Sequence, residues 1–311
     1  MRTNGGETGA LGVAQLETEQ RNAASSRLAE LSTLERVTLI NREDQTVALR
    51  VREALPEIAE AVDLIVARAK QGGRLVYVGA GTSARLGVMD AAECQPTYGL
   101  NLVHCVMAGG RDAVFNPQEK LEDDAQQAHA DLRTFGLRKE DVVVAATASG
   151  RTPYCVGALV YAAEIGAGRI GLSCNRPAAL GRYAQISIEV DTGAEFIMGS
   201  TRMKAGTAQK MVMNMLSTAT MIALGRTYQN LMVCLSASNG KISNRVIRLF
   251  EEACGREDPE HAREMLKRAD GRLDLAVIME IAGTTLVQAR AAMEQSRGNL
   301  PQALEGLMRT G

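Results

Sequence analysis

Residues 76–99, VYVGAGTSARLGVMDAAECQPTYG, carry an apolar run into four small residues, then the hydroxyls of Thr82 and Ser83, then, ten residues past Ser83, the carboxylate of Glu93. A second stretch, VVAATASGRTPY, repeats the plan with Ser149, Gly150 and Thr152. Small residues let a backbone come close to a ligand, and hydroxyls add hydrogen-bond donors. Where a helix starts just past such a turn, its unpaired amides and positive dipole end attract an anion, so phosphate is the natural guest. Either turn alone reads more readily as an ordinary strand-to-helix turn with capping hydroxyls. Two of them in one sheet point to a ligand.

Two acids are candidates for proton transfer. Glu93 sits in the apolar context VMDAAECQP, where desolvation would lift a carboxyl above its reference of about 4.3 and suit it to donate a proton near neutrality. Glu122 lies in QEKLEDDAQQ beside Asp123 and Asp124, where a solvated helix face is the plain expectation. In STRMKAGTAQK, Arg202 and Lys204 either approach a substrate carboxylate or charge the surroundings of a long helix. Gly79, Gly81 and Ala84 satisfy the G-x-G-x-x-G/A dinucleotide pattern, but the next strand ends in VMAG, with no acid to hold a ribose. A nucleotide is therefore not expected. The three histidines and six cysteines show no metal-ligand spacing, so a metal site is not expected.

The elements that must position these residues follow from periodicity. Apolar side chains at Val47, Val51, Leu55, Ile58, Val62 and Ile65 predict a helix over 44–70, with Pro56 as a place to kink. RLVYVGA, LVHCVM, DVVVAAT, RIGLSC and ISIEV read as strands. TSARLGVMDAAE, the acidic stretch 117–135, TPYCVGALVYAAEIG and MKAGTAQKMVMNMLSTATMIALG read as helices. Strands alternating with helices predict an α/β fold with a doubly wound, mostly parallel sheet covered on both faces. Beyond about residue 250 the strand signal ends, and 262–276 aligns with 289–303 at a period of 27, Gly271 over Gly298 and Leu273 over Leu300. This divides the chain into a lead-in over 1–43 whose first twenty or so residues are expected to be mobile, an α/β domain carrying the two candidate phosphate turns over 44–249, and a small helical domain over 250–311.

Composition excludes several classes. With 35 basic and 36 acidic residues the net charge is −1, which leaves no broad cationic field for nucleic acid or anionic lipid. Aromatics are 3% with no Trp, so base-stacking platforms are scarce as well. No apolar run approaches the roughly 20 residues of a membrane span. The N-terminus lacks the pattern of a secretory signal, and the scattered cysteines read as reduced thiols, so a cytoplasmic location is expected.

Taken together and in order, TEQRN, LSTLE, GAGTSARLGVMDAAECQPTYG, ATASGRTPY, GLSCN, STRMKAGTAQK and NGKISNR resemble the N-acetylmuramic acid 6-phosphate etherases of the sugar-isomerase (SIS) fold, over roughly residues 17–305. The resemblance implies a cofactor-free lyase acting as a cytoplasmic homodimer on a small sugar phosphate, with a C-terminal domain of the UBA-like kind. It places Glu93 on the family's general acid and Glu122 on its second active-site acid, the base for the C2 proton. Thr82, Ser83, Ser149, Gly150 and Thr152 fall on its sugar-phosphate loops. Asn239, Lys241 and Arg245 match sugar-phosphate contacts of the related glucokinase regulators. Ala84 and Gln95 depart from the family's usual Gly and Pro.

Two other functions fit the same residues. An aldose-ketose isomerase of this fold would need only one base, moving a proton between C1 and C2. A regulator would bind sugar phosphate without turnover, but such regulators bring a DNA-binding segment or a second copy of the domain, and neither is visible in these 311 residues.

Overall fold

The structure, a computed structural model, describes residues 16–116, 118–235 and 243–310. Most of the segment expected to be mobile lies outside the described residues, as do Asn239 and Lys241. The part of it that is described is held in place: Leu16 and Thr18 are buried, and Thr18 exchanges two hydrogen bonds with the Asn175 side chain. The chain forms two compact units, one built from residues up to Ala91 together with Val103–Leu216, the other from Ala92–Leu102 and from Ser217 onward.

In the first unit α1 (Thr33–Gln45) opens with a capping box, Ser32 and Glu35 each bonding the other's backbone amide. The single helix predicted over 44–70 is two, α2 (Val47–Glu53) and α3 (Leu55–Ala69), parted at Ala54. Pro56 falls in the first turn of α3, where its missing N–H leaves no bond unmade, so the chain restarts a helix there and does not bend one. Then follow β1 (Leu75–Gly79), α4 (Gly81–Tyr98), β2 (Val103–Met107), α5 (Ala125–Phe135), β3 (Val142–Thr147), α6 (Pro153–Glu164), β4 (Gly168–Ser173), β5 (Ile186–Glu189) and α7 (Lys204–Ala223). The acidic stretch predicted to be helical over 117–135 is helical in two parts: a 3-10 turn at Glu119–Asp123 precedes α5, whose first amides bond the Asp124 carboxylate.

All five strands pair in parallel, in the order β2-β1-β3-β4-β5. The sheet is covered on both faces, which is why β1 and β3 are fully buried and, but for Thr147 at the end of β3, built from apolar residues. Val76, Val78, Val143 and Ala145 face α5 and α6 with Leu132, Tyr154 and Leu159. On the other face, the Tyr77 hydroxyl lies 2.9 Å from Asp90 Oδ2 on α4 and 3.1 Å from the Met213 carbonyl on α7, with one proton between the two acceptors, and α3 packs on β4 and β5. In this order β1 sends the chain to β2 on one side, while β3 begins the run to the other side. The topological switch point, where open α/β sheets collect ligands, therefore lies between the neighbouring strands β1 and β3.

The second unit contains α8 (Asn244–Cys254), α9 (Pro259–Arg268), α10 (Leu273–Ala282), α11 (Leu286–Gln295) and α12 (Leu300–Thr310). The period of 27 has a structural meaning: α9–α10 and α11–α12 are two helix-turn-helix pairs whose turns share one backbone shape. Asp270 and Gly271 have φ of 53° and 75°, and Arg297 and Gly298 have 53° and 81°. The equivalent side chains Ala262 and Ala289, Leu273 and Leu300, Ala276 and Ala303 are all buried in one apolar cluster. Among the described residues no single helix is long and apolar enough to cross a membrane.

Candidate active site

The two hydroxyl-bearing turns leave the carboxyl ends of β1 and β3, which lie side by side with Gly79 in register with Ala146. Only Ala80 separates β1 from α4, so Thr82 and Ser83 belong to the first helical turn, where backbone amides have no helical partner. Thr82 is half-buried and Ser83 buried. Ala84, where the resemblance leads one to expect Gly, keeps an ordinary backbone conformation. Its methyl joins Met107 and Ala113 in a small apolar cluster, so the extra carbon is accommodated.

After β3 the hydroxyls bond one another. Thr147 Oγ1 lies 2.6 Å from Thr152 Oγ1 and 3.2 Å from Ser149 Oγ. Thr152 occupies the N-cap position of α6 without bonding its first-turn amides, so the ordinary capping arrangement is not realised here. Gly150 has φ of 70°, and a Cβ there would lie 2.6 Å from the Ala178 methyl. Left-handed backbone costs a residue with a Cβ about 1–2 kcal/mol, roughly tenfold in an equilibrium. Gly150→Ala is accordingly expected to weaken binding of a sugar 6-phosphate about tenfold, together with a lower thermal midpoint; calorimetric titration and a melting curve check both. The turn is braced from outside: the Cys174 amide and Asn175 Nδ2 both donate to the Ala148 carbonyl, at 3.0 and 2.9 Å, and the same Asn175 side chain holds Thr18. That bracing is invisible in GLSCN and TEQRN, whose Asn175 and Thr18 stand 157 residues apart.

Glu122, anonymous in the sequence, lines a cavity of about 190 Å³ together with Gly81, Thr82, Arg85, Ala108 and Gln118. This is smaller than the roughly 300–1,000 Å³ of a complete ligand pocket and suits one end of a sugar phosphate. Burial pushes the Cys155 thiol up to about 12, with the Glu122 charge adding to the effect. A thiol held so far from ionisation is no nucleophile.

Glu93 does not line this cavity. It is exposed, near the end of α4, which continues unbroken to Tyr98; ten residues at about 1.5 Å each set it about 15 Å along the helix axis from Ser83. The apolar neighbours that suggested desolvation point elsewhere, Cys94 being buried while Glu93 is not. Arg245 is exposed on α8 with Nη2 2.7 Å from Met232 Sδ. Lys204, open to two readings in the sequence, takes the structural one: its Nζ lies 2.8 Å from Glu43 Oε2 and its side chain is 6% exposed. The first amides of α7 are also taken, since the buried Glu195 carboxylate accepts from Lys204 N and Ala205 N at 2.9 Å each. Burial raises the pKa of Glu195, and those amides pull against the rise.

Sequence reasoning passed over Arg85. It stands three residues after Thr82, one helical turn on, and that spacing was the signal available.

Residues 57–163 match the model of the glucokinase regulatory protein N-terminal SIS domain. The N-acetylmuramic acid 6-phosphate etherase of Actinobacillus succinogenes is 46% identical over 296 residues, 94% of this chain and 96% of that one. The protein of the same name from Mycolicibacterium smegmatis is 46% identical over 291 residues, 93% and 97% of the two chains. A solved phosphoheptose isomerase from Francisella tularensis aligns with a TM-score of 0.49 at 15% identity, over 60% of this chain and 97% of its own.

Proposed function

Because the chain belongs to the N-acetylmuramic acid 6-phosphate etherase family, we propose that it cleaves the lactyl ether of that sugar phosphate, with Glu122 as base and Glu93 as acid. The products are N-acetylglucosamine 6-phosphate and D-lactate. The observation that supports Glu122 in this role is its shared cavity with Thr82, a carboxylate and a candidate phosphate turn opening on one space beside the switch point.

The chemistry needs two proton transfers. In the ring-opened sugar the ether oxygen at C3 is β to the aldehyde. Glu122 takes the C2 proton, the electron pair passes into an enolate, and the C3–O bond breaks as the lactate oxygen receives a proton from Glu93. Water then adds across the double bond, hydroxyl to C3 and proton to C2. An alkoxide leaves badly, so an acid at C3 matters as much as a base at C2; each positioned transfer is worth about 10² to 10⁴ in rate. The phosphate rests on the turns carrying Thr82, Ser83, Ser149, Gly150 and Thr152.

A general acid at neutral pH must be kept protonated, which takes desolvation. Glu93 and Glu122 are both exposed in the single chain, so the missing burial comes from substrate and from a second copy. The enzyme is a cytoplasmic homodimer, and Glu93 serves the partner's cavity. In keeping with this, α1 buries none of its side chains, and Leu34 and Val37 stand 74% and 52% exposed on it, an apolar face for a second subunit. By the family resemblance, Asn239, Lys241 and Arg245 are further candidates for contact with the sugar phosphate.

Incubation with N-acetylmuramic acid 6-phosphate is expected to release D-lactate; formation of a ketose phosphate without lactate would identify an isomerase instead. Mixed dimers pairing a Glu93→Gln chain with a Ser83→Ala, Ser149→Ala chain are expected to recover part of the activity that each parent dimer lacks. No recovery would place each complete site in one chain.

A further inference from the structure

Arg85 is the one cation among the described residues that line the cavity holding Thr82 and Glu122. Its Nε donates to the Val114 carbonyl and its Nη2 to the Ala113 carbonyl, both at 2.8 Å. Two acceptors on consecutive residues fix the guanidinium plane against the short 3-10 segment Gly110–Val114. Among the described residues it forms no ion pair, and its Nη1 makes no hydrogen bond. Of five N–H donors, then, two are used for positioning. A half-buried guanidinium that forms no ion pair gives up hydration without a bonded anion in return, unless a ligand brings one. Its planar fork fits a carboxylate or phosphate through two parallel bonds.

Resting on the etherase reading above, we infer that Arg85 is a substrate-binding residue that recognises the carboxylate of the lactyl group, and so sets specificity for the ether over the sugar phosphate that lacks it. The substrate carries two anions. The phosphate already has the first turns of α4 and α6 with their hydroxyls, at the ends of β1 and β3. The other anion is attached through the oxygen whose bond breaks, and the cation facing that end should share a cavity with a proton-transfer carboxylate. Arg85 does so with Glu122.

The test compares wild type, Arg85→Met and Arg85→Lys, with N-acetylmuramic acid 6-phosphate as substrate and with D-lactate and N-acetylglucosamine 6-phosphate as inhibitors. A contact made equally in ground and transition states shows in KM more than in kcat. Arg85→Met is expected to raise KM about 10- to 100-fold, with a smaller change in kcat. It should also abolish inhibition by D-lactate and leave inhibition by N-acetylglucosamine 6-phosphate within about twofold, a bound below the tenfold that marks loss of a charged contact. Equal weakening toward both the substrate and N-acetylglucosamine 6-phosphate would assign Arg85 to the phosphate and overturn the inference. An unchanged KM would overturn it too. Should Arg85→Met bind neither ligand, Arg85→Lys decides by the same ratio, since it keeps the charge and loses the fork. Absence of lactate release by wild type would sink the etherase reading itself, and the calorimetric ratio of D-lactate to sugar-phosphate binding would still judge Arg85.

Discussion

Glu122→Gln is expected to lower kcat for D-lactate release by about 10² to 10⁴ and to abolish exchange of the substrate's C2 proton with deuterated water. Glu93→Gln is expected to lose lactate release to a similar degree yet keep C2 exchange, because the base still forms the enolate and only the departure of the ether oxygen is blocked. Proton magnetic resonance of the substrate, run beside a lactate assay, separates the two roles. Both side chains are exposed, so neither change should move the thermal midpoint, and a loss of rate cannot be put down to unfolding. If Glu93→Gln also stops exchange while Glu122→Gln preserves it, acid and base are reversed.

The largest expected loss of stability comes from Asp141→Ala, at the opposite ends of the strands from the site. This side chain is completely buried, and accepts from Arg74 N at 2.8 Å, Arg74 Nη2 at 2.6 Å and Arg138 N at 2.9 Å. Arg74 is fixed further by the Phe135 ring, 4.3 Å from its guanidinium carbon. Removing the carboxylate strands a guanidinium and two amides, which typically costs about 3–5 kcal/mol, readable as a lower denaturant midpoint with unchanged slope. Burial by itself raises the Asp141 pKa, but the Arg74 guanidinium and the two amides outweigh it and hold the group below its usual range. With a folded value below the unfolded one of about 3.9, the contribution is whole above that unfolded value and is lost as pH falls through the folded one. Wild type should therefore lose stability on acidification through this window, and Asp141→Ala should lose less.

Parts of this protein are local in origin and were legible as such. VVVAAT can only be a strand buried on both sides, because β-branched side chains pack a pleated surface and no polar position interrupts them. The turns after β1 and β3 announced themselves by small and hydroxyl residues, and the family's motifs by their order. The repeat was legible too, because each helix pair needs the same left-handed turn to fold its apolar face inward. Pro56 was read as a kink where it is a start, a choice made by the packing of α3 and not by the proline alone.

What no local pattern contains is strand order. Nothing in RLVYVGA or DVVVAAT says that the two lie side by side, and it is that pairing which sets both turns at one switch point. Glu122 was one acid among several until the fold put it in a cavity with Thr82, and Arg85 was a helix residue until two carbonyls fixed it there. Lys204 could have met a substrate, and Glu43, 161 residues away, met it first. Secondary structure follows from sterics and hydrogen bonds within a few residues, so the sequence alone determined the elements and the kinds of chemistry on offer. Which side chains share a cavity depends on contacts between residues far apart in the chain, and these exist only once the sheet has closed its order and the helices have covered it.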